Sequence, residues 1–376
     1  MLSSCAELRV RVHTTLIVIL ALVIHGAQAQ LAEPVRPVNI ILDSDMVGDA
    51  DDVGDHAVLW ALADCGEANV LALITSSAND YSASTVHVLA RYFGHPNVPI
   101  GAYQGDIPSD YSATTSGYTK QITEEFLSPR DTRAKYPDAV TVYRQALAGA
   151  PDNSVYIVAG GYYQPLRALL QSGPDRFSAL DGTKLVAQKV RRLIAAAGVF
   201  PDSGTQPEHN FAMDPDGASF VFATWPTEII SFGTEAGWNV VTGPRPTEDP
   251  AKNPVKRAYD LYCQNGRYCA ATTPAWTQIA ILYAVRGGVG SEFSVGGVNG
   301  STVVWGKKQP TPGRDIWTQN PNRHHSYLEK AVPASVLANT LGQLLQHTPG
   351  SCVSGSASHG PQRAACTRKA GQDGCQ

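Results

Sequence analysis

The stretch D-S-D-M-V-G-D-A-D-D-V-G-D, Asp43 to Asp55, carries six carboxylates in 13 residues: Asp43, Asp45, Asp49, Asp51, Asp52 and Asp55. Like charges at this density repel one another unless a cation neutralises them or some of them protonate. Val38 to Leu42, just before it, is a short apolar β-branched run that reads as a buried strand, and Ala57 to Ala63 after it reads as a helix. The acidic loop therefore leaves the carboxyl end of a strand, the edge where α/β sheets bind ligands. Hard oxygen donors select Ca2+ or Mg2+ over softer metals. A solvated acidic turn capping the following helix is the competing reading. The coincidence of strand, acidic cluster and Gly48 favours the cation site. An EF-hand does not fit, because no helix precedes the loop and no glutamate stands at its twelfth position.

Outward from this loop, strand-like and helix-like segments alternate. Val70 to Thr75, Val155 to Ala159, Leu193 to Ala197 and Glu228 to Phe232 read as buried strands. Ala83 to Phe93, Pro165 to Leu170 and Thr277 to Val285 read as helices, with Pro165 tolerated near a helix start. Apolar strands followed by helices imply an α/β fold: a single open, mainly parallel sheet with helices on both faces. No internal repeat or domain-splitting linker interrupts the 376 residues.

Residues 1–29 read as a secretory signal peptide. Arg9, Arg11 and His13 form its positive region, Leu16 to Ile24 its apolar run, and Ala27-Gln28-Ala29 a cleavage site. That run is too short to cross a bilayer, which takes roughly 20 residues, so a secreted protein is expected rather than a membrane-anchored one. The net charge of −4 argues against a nucleic-acid partner. Removing the leader leaves Cys65, Cys263, Cys269, Cys352, Cys366 and Cys375, an even number suited to disulfides. Cys263 and Cys269 enclose a short loop and are candidates for a local bridge; the cysteines beyond residue 349 suggest a tail stapled to the body. The sequon Asn299-Gly300-Ser301 fits secretion. The expected organisation is a leader over 1–29, a catalytic-type domain over 30–348 and a cysteine-containing tail over 349–376.

The acidic block resembles the inosine/uridine-preferring nucleoside hydrolases, in the branch with the longer spacing D-T-D-x-G-N-D-x-D-D. Asp43, Asp45, Asp49, Asp51 and Asp52 match that pattern, and further blocks follow in order through most of residues 38–345. The resemblance implies Ca2+-dependent hydrolysis of ribonucleosides and a small-molecule nucleoside as partner, with dimers or tetramers common. It implies that Asp45 ligates calcium and takes the proton of the attacking water, and that Asp52 is a second ligand. Gly160, in S-V-Y-I-V-A-G-G-Y-Y, would offer its carbonyl to the metal. Asp51 and Asn79 would hold ribose hydroxyls, joined by Glu208 and Asn210 of the block E-H-N-F-A-M-D-P. Glu235, in W-P-T-E-I-I-S-F-G-T-E-A-G, is a further binding candidate.

Each has a plainer reading. Asn79 could cap a helix, Glu208 and Asn210 could be polar loop residues, and Glu235 could be structural. Trp225 and Trp276 suit a core better than a base-stacking role. His209, His324 and His325 are candidates to protonate a leaving base.

Hydrolysis of an N-glycosidic bond passes through an oxocarbenium-like sugar cation. It needs an activated water, a grip on the sugar that favours the distorted transition state, and a stabilised leaving base. This chain departs from the pattern at one metal position, where A-W-T-Q-I-A-I-L-Y-A-V places Thr277 against the family's aspartate. A hydroxyl is a weaker, neutral ligand, so calcium affinity should fall. Asp55 replaces a small residue and could partly offset the lost charge; Asp202 is a loose match to another ribose-contacting position. The alternative to an active hydrolase is a catalytically weakened relative that binds a nucleoside or related ligand. A serine hydrolase is disfavoured by the missing G-x-S-x-G, and a dinucleotide enzyme by the missing G-x-G-x-x-G.

Overall fold

The computed structural model describes residues 37–47, 49–106, 117–127, 132–245, 247–264 and 271–352. The leader, Gly48, Cys269, Cys366 and Cys375 lie outside them. Eleven strands are described: β1 Val38–Ser44, β2 Ala68–Thr75, β3 Ile100–Ala102, β4 Val155–Ala159, β5 Val190–Ala196, β6 Glu228–Phe232, β7 Val241–Thr242, β8 Thr273–Pro274, β9 Phe293–Val304, β10 Asp315–Gln319 and β11 His325–Lys330. The helices begin with α1 Asp51–Asp64, α2 Ser82–Tyr92, α3 Gly117–Phe126 and α4 Ala139–Gly149. They continue with α5 Gln164–Gln171, α6 Gly182–Lys189, α7 His209–Met213 and α8 Pro215–Thr224. The last are α9 Thr234–Gly237, α10 Pro254–Gln264, α11 Trp276–Arg286 and α12 Ala334–Leu345.

Nine strands form one sheet in the order β10-β9-β11-β6-β5-β4-β1-β2-β3, and β7 pairs with β8 separately. From β3 to β11 every neighbouring pair is parallel; β9 runs antiparallel to both β11 and β10. The expected open, mainly parallel sheet is what the chain forms. Its central strands alternate between two cores. Ile40 and Leu42 of β1 join a cluster with α1, α2, α11 and α12. Ile41 faces the other way into a cluster with α4, α5, α6 and α8. Such strands are buried on both faces, which is why they read as continuous apolar runs.

The chain winds outward from β1 through β2 to β3, then returns to lay β4 on the other side of β1 and winds through β5 to β6. Between β1 and β4 the winding direction reverses, and the loops after these two strands diverge to leave a crevice. Those loops carry Asp45 and Gly160.

One boundary differs in a way that matters. The helix expected from Ala57 begins at Asp51, inside the acidic stretch. Ala50 at its N-cap offers no side-chain cap, and Asp51 and Asp52 fill the first turn. Carboxylates there face the positive end of the helix dipole, which makes the position favourable for aspartate. The acidic segment is thus half loop and half helix.

Cys65, directly after α1, is bridged to Cys352, with a Cα–Cα distance of 4.6 Å. The tail is tied to the body as the late cysteines suggested. Cys263 is a half-buried free thiol, and Cys269, its candidate partner, lies outside the described residues. Asn299 of the sequon stands half-buried in β9 with a left-handed φ of 54°.

Candidate functional site

Asp45 is the first residue beyond β1, 7% exposed. The chain then turns on Met46, whose φ of 47° is unusual for a residue with a side chain. Burial holds this turn, as do bonds from the Ser82 hydroxyl to the Met46 carbonyl (3.1 Å) and from the Tyr118 hydroxyl to the Asp49 carbonyl (3.0 Å). Tyr262 donates to the Asp49 carboxylate at 2.8 Å. The turn delivers Asp51, Asp52 and Asp55 on the first turns of α1, all buried. Asp52 comes within hydrogen-bond reach of Asp45.

Across the crevice, Gly160 follows β4 and its N–H donates to the Asp43 carbonyl at 2.8 Å. A Cβ on Gly160 would stand 2.2 Å from the Thr277 hydroxyl, and one on Gly161 would stand 2.5 Å from the Asp45 nitrogen. Two glycines therefore let three loops close on one point. The Gly160 carbonyl accepts from the Asn210 amide at 3.2 Å, which brings the E-H-N block to the same place. Thr277 is buried in the first turn of α11.

Burial raises the Asp51, Asp52 and Asp55 carboxyls well above the ordinary range, and their neighbours add to it. Asp49 and Asp45 act on Asp51; Asp45, Asp51 and Asp55 on Asp52; Asp51 and Asp45 on Asp55. The Thr277 hydroxyl opposes the shift at Asp55. It lies within electrostatic reach without meeting hydrogen-bond geometry, since neither Asp55 oxygen has a partner among the described residues. Asp43 is pushed up to about 7 by burial, against the hydrogen bond from Tyr143 at 2.6 Å. Carboxyls are thus crowded into a dry site where ionising them is costly, a cost that a bound cation relieves.

Other candidates take more structural positions. Asn79 lies buried after β2, its amide bonded to Thr119 (3.2 Å) and its oxygen to the Tyr81 N–H (2.8 Å), an Asx turn leading into α2. Glu208 caps α7 by accepting from the N–H groups of Asn210 (2.8 Å) and Phe211 (3.1 Å). Glu235 is exposed, with one oxygen 3.4 Å from the Phe200 N–H. Asp202 is taken up by an ion pair with Arg314 at 2.8 Å.

His324 and His325 precede or open β11, which runs parallel to β6, so they stand at the sheet end opposite the crevice. His325 is buried, accepts from the Thr302 N–H at 3.0 Å, and is pushed down to about 3 by burial. Neither can reach a base held near Asp45. His209, exposed between Glu208 and Asn210, is at the right end, its ring 6.3 Å from that of Tyr162. Trp225 is core, as expected, but Trp276 is half-buried and tilts against exposed Trp238, 6.2 Å away.

Gln278 was not singled out from sequence. Fully buried beside Thr277, it accepts from Thr242 at 2.8 Å and reaches the Asp51 carbonyl at 3.5 Å, joining α11 to α1. One glutamine within a helix gives no sequence signal for such a tie.

Hard oxygen atoms line this crevice: the Asp45 and Asp52 carboxylates lie beside each other, and the Thr277 hydroxyl packs on Gly160. Among the described residues no three His, Cys, Asp or Glu side chains form a group able to hold a metal. The donor chemistry and the unpartnered Asp55 oxygens nonetheless fit a hard cation such as calcium.

A doubly wound α/β sheet with a buried carboxylate cluster at its switch point defines a ligand-binding crevice protein. Residues 40–309 match the family model for the inosine-uridine preferring nucleoside hydrolases, and the chain belongs to that family. None of the curated proteins matches it by sequence. Among solved structures, a plant nucleoside hydrolase, the PpNRh1 enzyme, superposes with a TM-score of 0.60 at 18% identity, covering 82% of this chain and 99% of that one. The inosine-uridine preferring nucleoside hydrolase from Bacillus anthracis gives 0.58 at 16% identity, covering 82% and 99%. The type III effector protein XopQ, complexed with adenosine diphosphate ribose, gives 0.58 at 16%, covering 88% and 98%. At these identities the structures show a shared fold.

Proposed function

We propose that this protein hydrolyses the N-glycosidic bond of ribonucleosides, releasing the base and ribose, with calcium held by Asp45, Asp52, the Gly160 carbonyl and the Thr277 hydroxyl. The observation that supports this reading is the meeting of the β1 and β4 loops, where Gly160 packs on Thr277, Gly161 packs on the Asp45 backbone, and Asp52 lies beside Asp45. Bound there, calcium supplies the Lewis acidity that makes a water nucleophilic near neutral pH. Asp45 accepts the proton of that water. Asp51 and Asn210 grip the ribose hydroxyls, so that binding energy favours the flattened, positively charged sugar. Asn79 and Glu208 retain spare hydrogen-bonding capacity beyond their turn and cap bonds, and Glu235 and His209 stand nearer the rim. The Cys65–Cys352 bridge supports the secreted, signal-bearing organisation, since disulfides persist in oxidising compartments.

The test is base release from a panel of purine and pyrimidine ribonucleosides, with and without chelator. Release that stops on chelation and returns with calcium is the expected result. Release indifferent to chelator removes the metal from the reading, and no release from any nucleoside removes the hydrolysis. The neutral residue at Thr277 favours one second reading, a weakened relative that binds ribosides without turning them over. In that case a nucleoside or adenosine diphosphate ribose would raise the unfolding temperature while no base is released.

A further inference from the structure

We propose that Asp55 supplies a third negative charge beside the cation site, acting through its charge and not as one of the ligands, from α1, where Thr277 on the facing α11 contributes only a neutral oxygen. The inference rests on the calcium reading above. Its ground is the placement of Asp55. It lies four residues after Asp51 and three after Asp52 on α1, and so occupies the same helix face one turn further in. Helical Cα–Cβ bonds tilt toward the N-terminus, so its carboxylate leans back toward those two aspartates and toward Asp45.

Asp55 is 0% exposed, and both its carboxylate oxygens are without a hydrogen-bond partner among the described residues. Other buried acids of this chain have structural partners. Asp43 has Tyr143; Asp214 has the Gly217 N–H at 2.9 Å and Gln164 at 2.7 Å; Asp315 has the Val199 N–H at 3.2 Å. A buried carboxylate with nothing to hold it costs several kcal/mol to ionise, so it takes up a proton unless a cation compensates it. Its surroundings face it with the Thr277 hydroxyl and with other carboxylates. Gly54, just before it, permits close packing here: a Cβ there would stand 2.4 Å from the Gln278 amide of α11 and 2.5 Å from the Tyr259 hydroxyl of α10, so both side chains lie directly on the α1 backbone.

The test is calorimetric calcium titration of the full chain in four forms: wild type, Asp55→Asn, Thr277→Asp, and the exchange Asp55→Ala with Thr277→Asp. Asp55→Asn should weaken calcium binding at least tenfold. Its unfolding temperature in chelator should equal or exceed that of wild type, since the amide buries no group that ionises at a cost; this separates lost binding from misfolding. The exchange should recover binding to within a few-fold of wild type. Thr277→Asp should help less in the presence of Asp55 than in its absence. Wild-type affinity in Asp55→Asn, or an exchange variant no better than Asp55→Asn, overturns the inference and leaves the calcium reading standing. A wild type that binds no calcium at all overturns both.

Discussion

Asp45 and Asp315 are both buried aspartates, and the chain uses them in opposite ways. Asp45 stands beside Asp52 at the crevice, its carboxylate crowded by like charge. Asp45→Ala should lower base release by roughly 10²–10⁴-fold, the usual worth of a positioned general base. Removing one repelling charge should leave the unfolding temperature in chelator no lower than that of wild type. A variant keeping a tenth of wild-type release would refute the assigned role. Asp315, at the start of β10, faces no carboxylate partner at bonding distance and accepts from the Val199 N–H at 3.2 Å. Burial pushes it from the ordinary 3.8 to about 7. The folded state therefore holds a proton that the unfolded chain has released, and the resulting stability is full below about pH 4 and lost as pH rises through 7. Between pH 5 and 8, wild type should lose roughly 2 kcal/mol more stability than Asp315→Asn, as read from urea unfolding at each pH. Parallel pH profiles for the two proteins would refute it.

At the scale of elements, β4 was legible in the sequence to the residue, because an apolar β-branched run between turn residues has few other fates. The start of α1 was not. Aspartate ordinarily marks loops, and only the dipole of a helix ending in a dry crevice makes Asp51 and Asp52 good first-turn residues. The antiparallel edge was equally hidden, since β9 contains Gly296, Gly297 and Gly300, a composition that argues against a strand. Those glycines lie under the rings of Tyr327 and Trp317, residues from other strands. At the crevice, the density of carboxylates from Asp43 to Asp55 stood out in the sequence, whereas the placement of His324 and His325 at the other end of the sheet depended on β11 being parallel to β6. Gly54 is another residue whose reason lies between elements. Gly54→Ala would drive a methyl into Gln278 and Tyr259, and overpacking of this kind costs about 1–3 kcal/mol. Chemical unfolding should show that loss; an unchanged midpoint would mean that α1 and α11 can part without penalty.

At the scale of the whole molecule, α1 connects two regions with different demands. Its N-terminus concentrates buried carboxyls at the crevice; its C-terminus is fixed by the Cys65–Cys352 bridge, which closes a separation of 287 residues. The 14 residues of α1 put the bridge roughly 20 Å from the acidic cluster. Around the bridge, Asp64 accepts from the Gly350 N–H at 2.8 Å and pairs with His347 at 3.1 Å, and the His347 ring stacks on Phe93. These contacts keep the native tail in place without the covalent link, so the bridge acts mainly on the unfolded chain by restricting a very long loop. On that account it contributes about 5–6 kcal/mol. Replacing both cysteines by serine should lower the unfolding free energy by that amount. The variant should also unfold over a steeper denaturant range, because its unfolded chain exposes more surface. Base release at 25 °C should be unchanged, since the far end of α1 is still held by Gln278 and the β1 loop. If instead the variant loses calcium affinity in step with stability, the bridge fixes the position of α1 in the native state, and α1 transmits strain from the tail to the crevice.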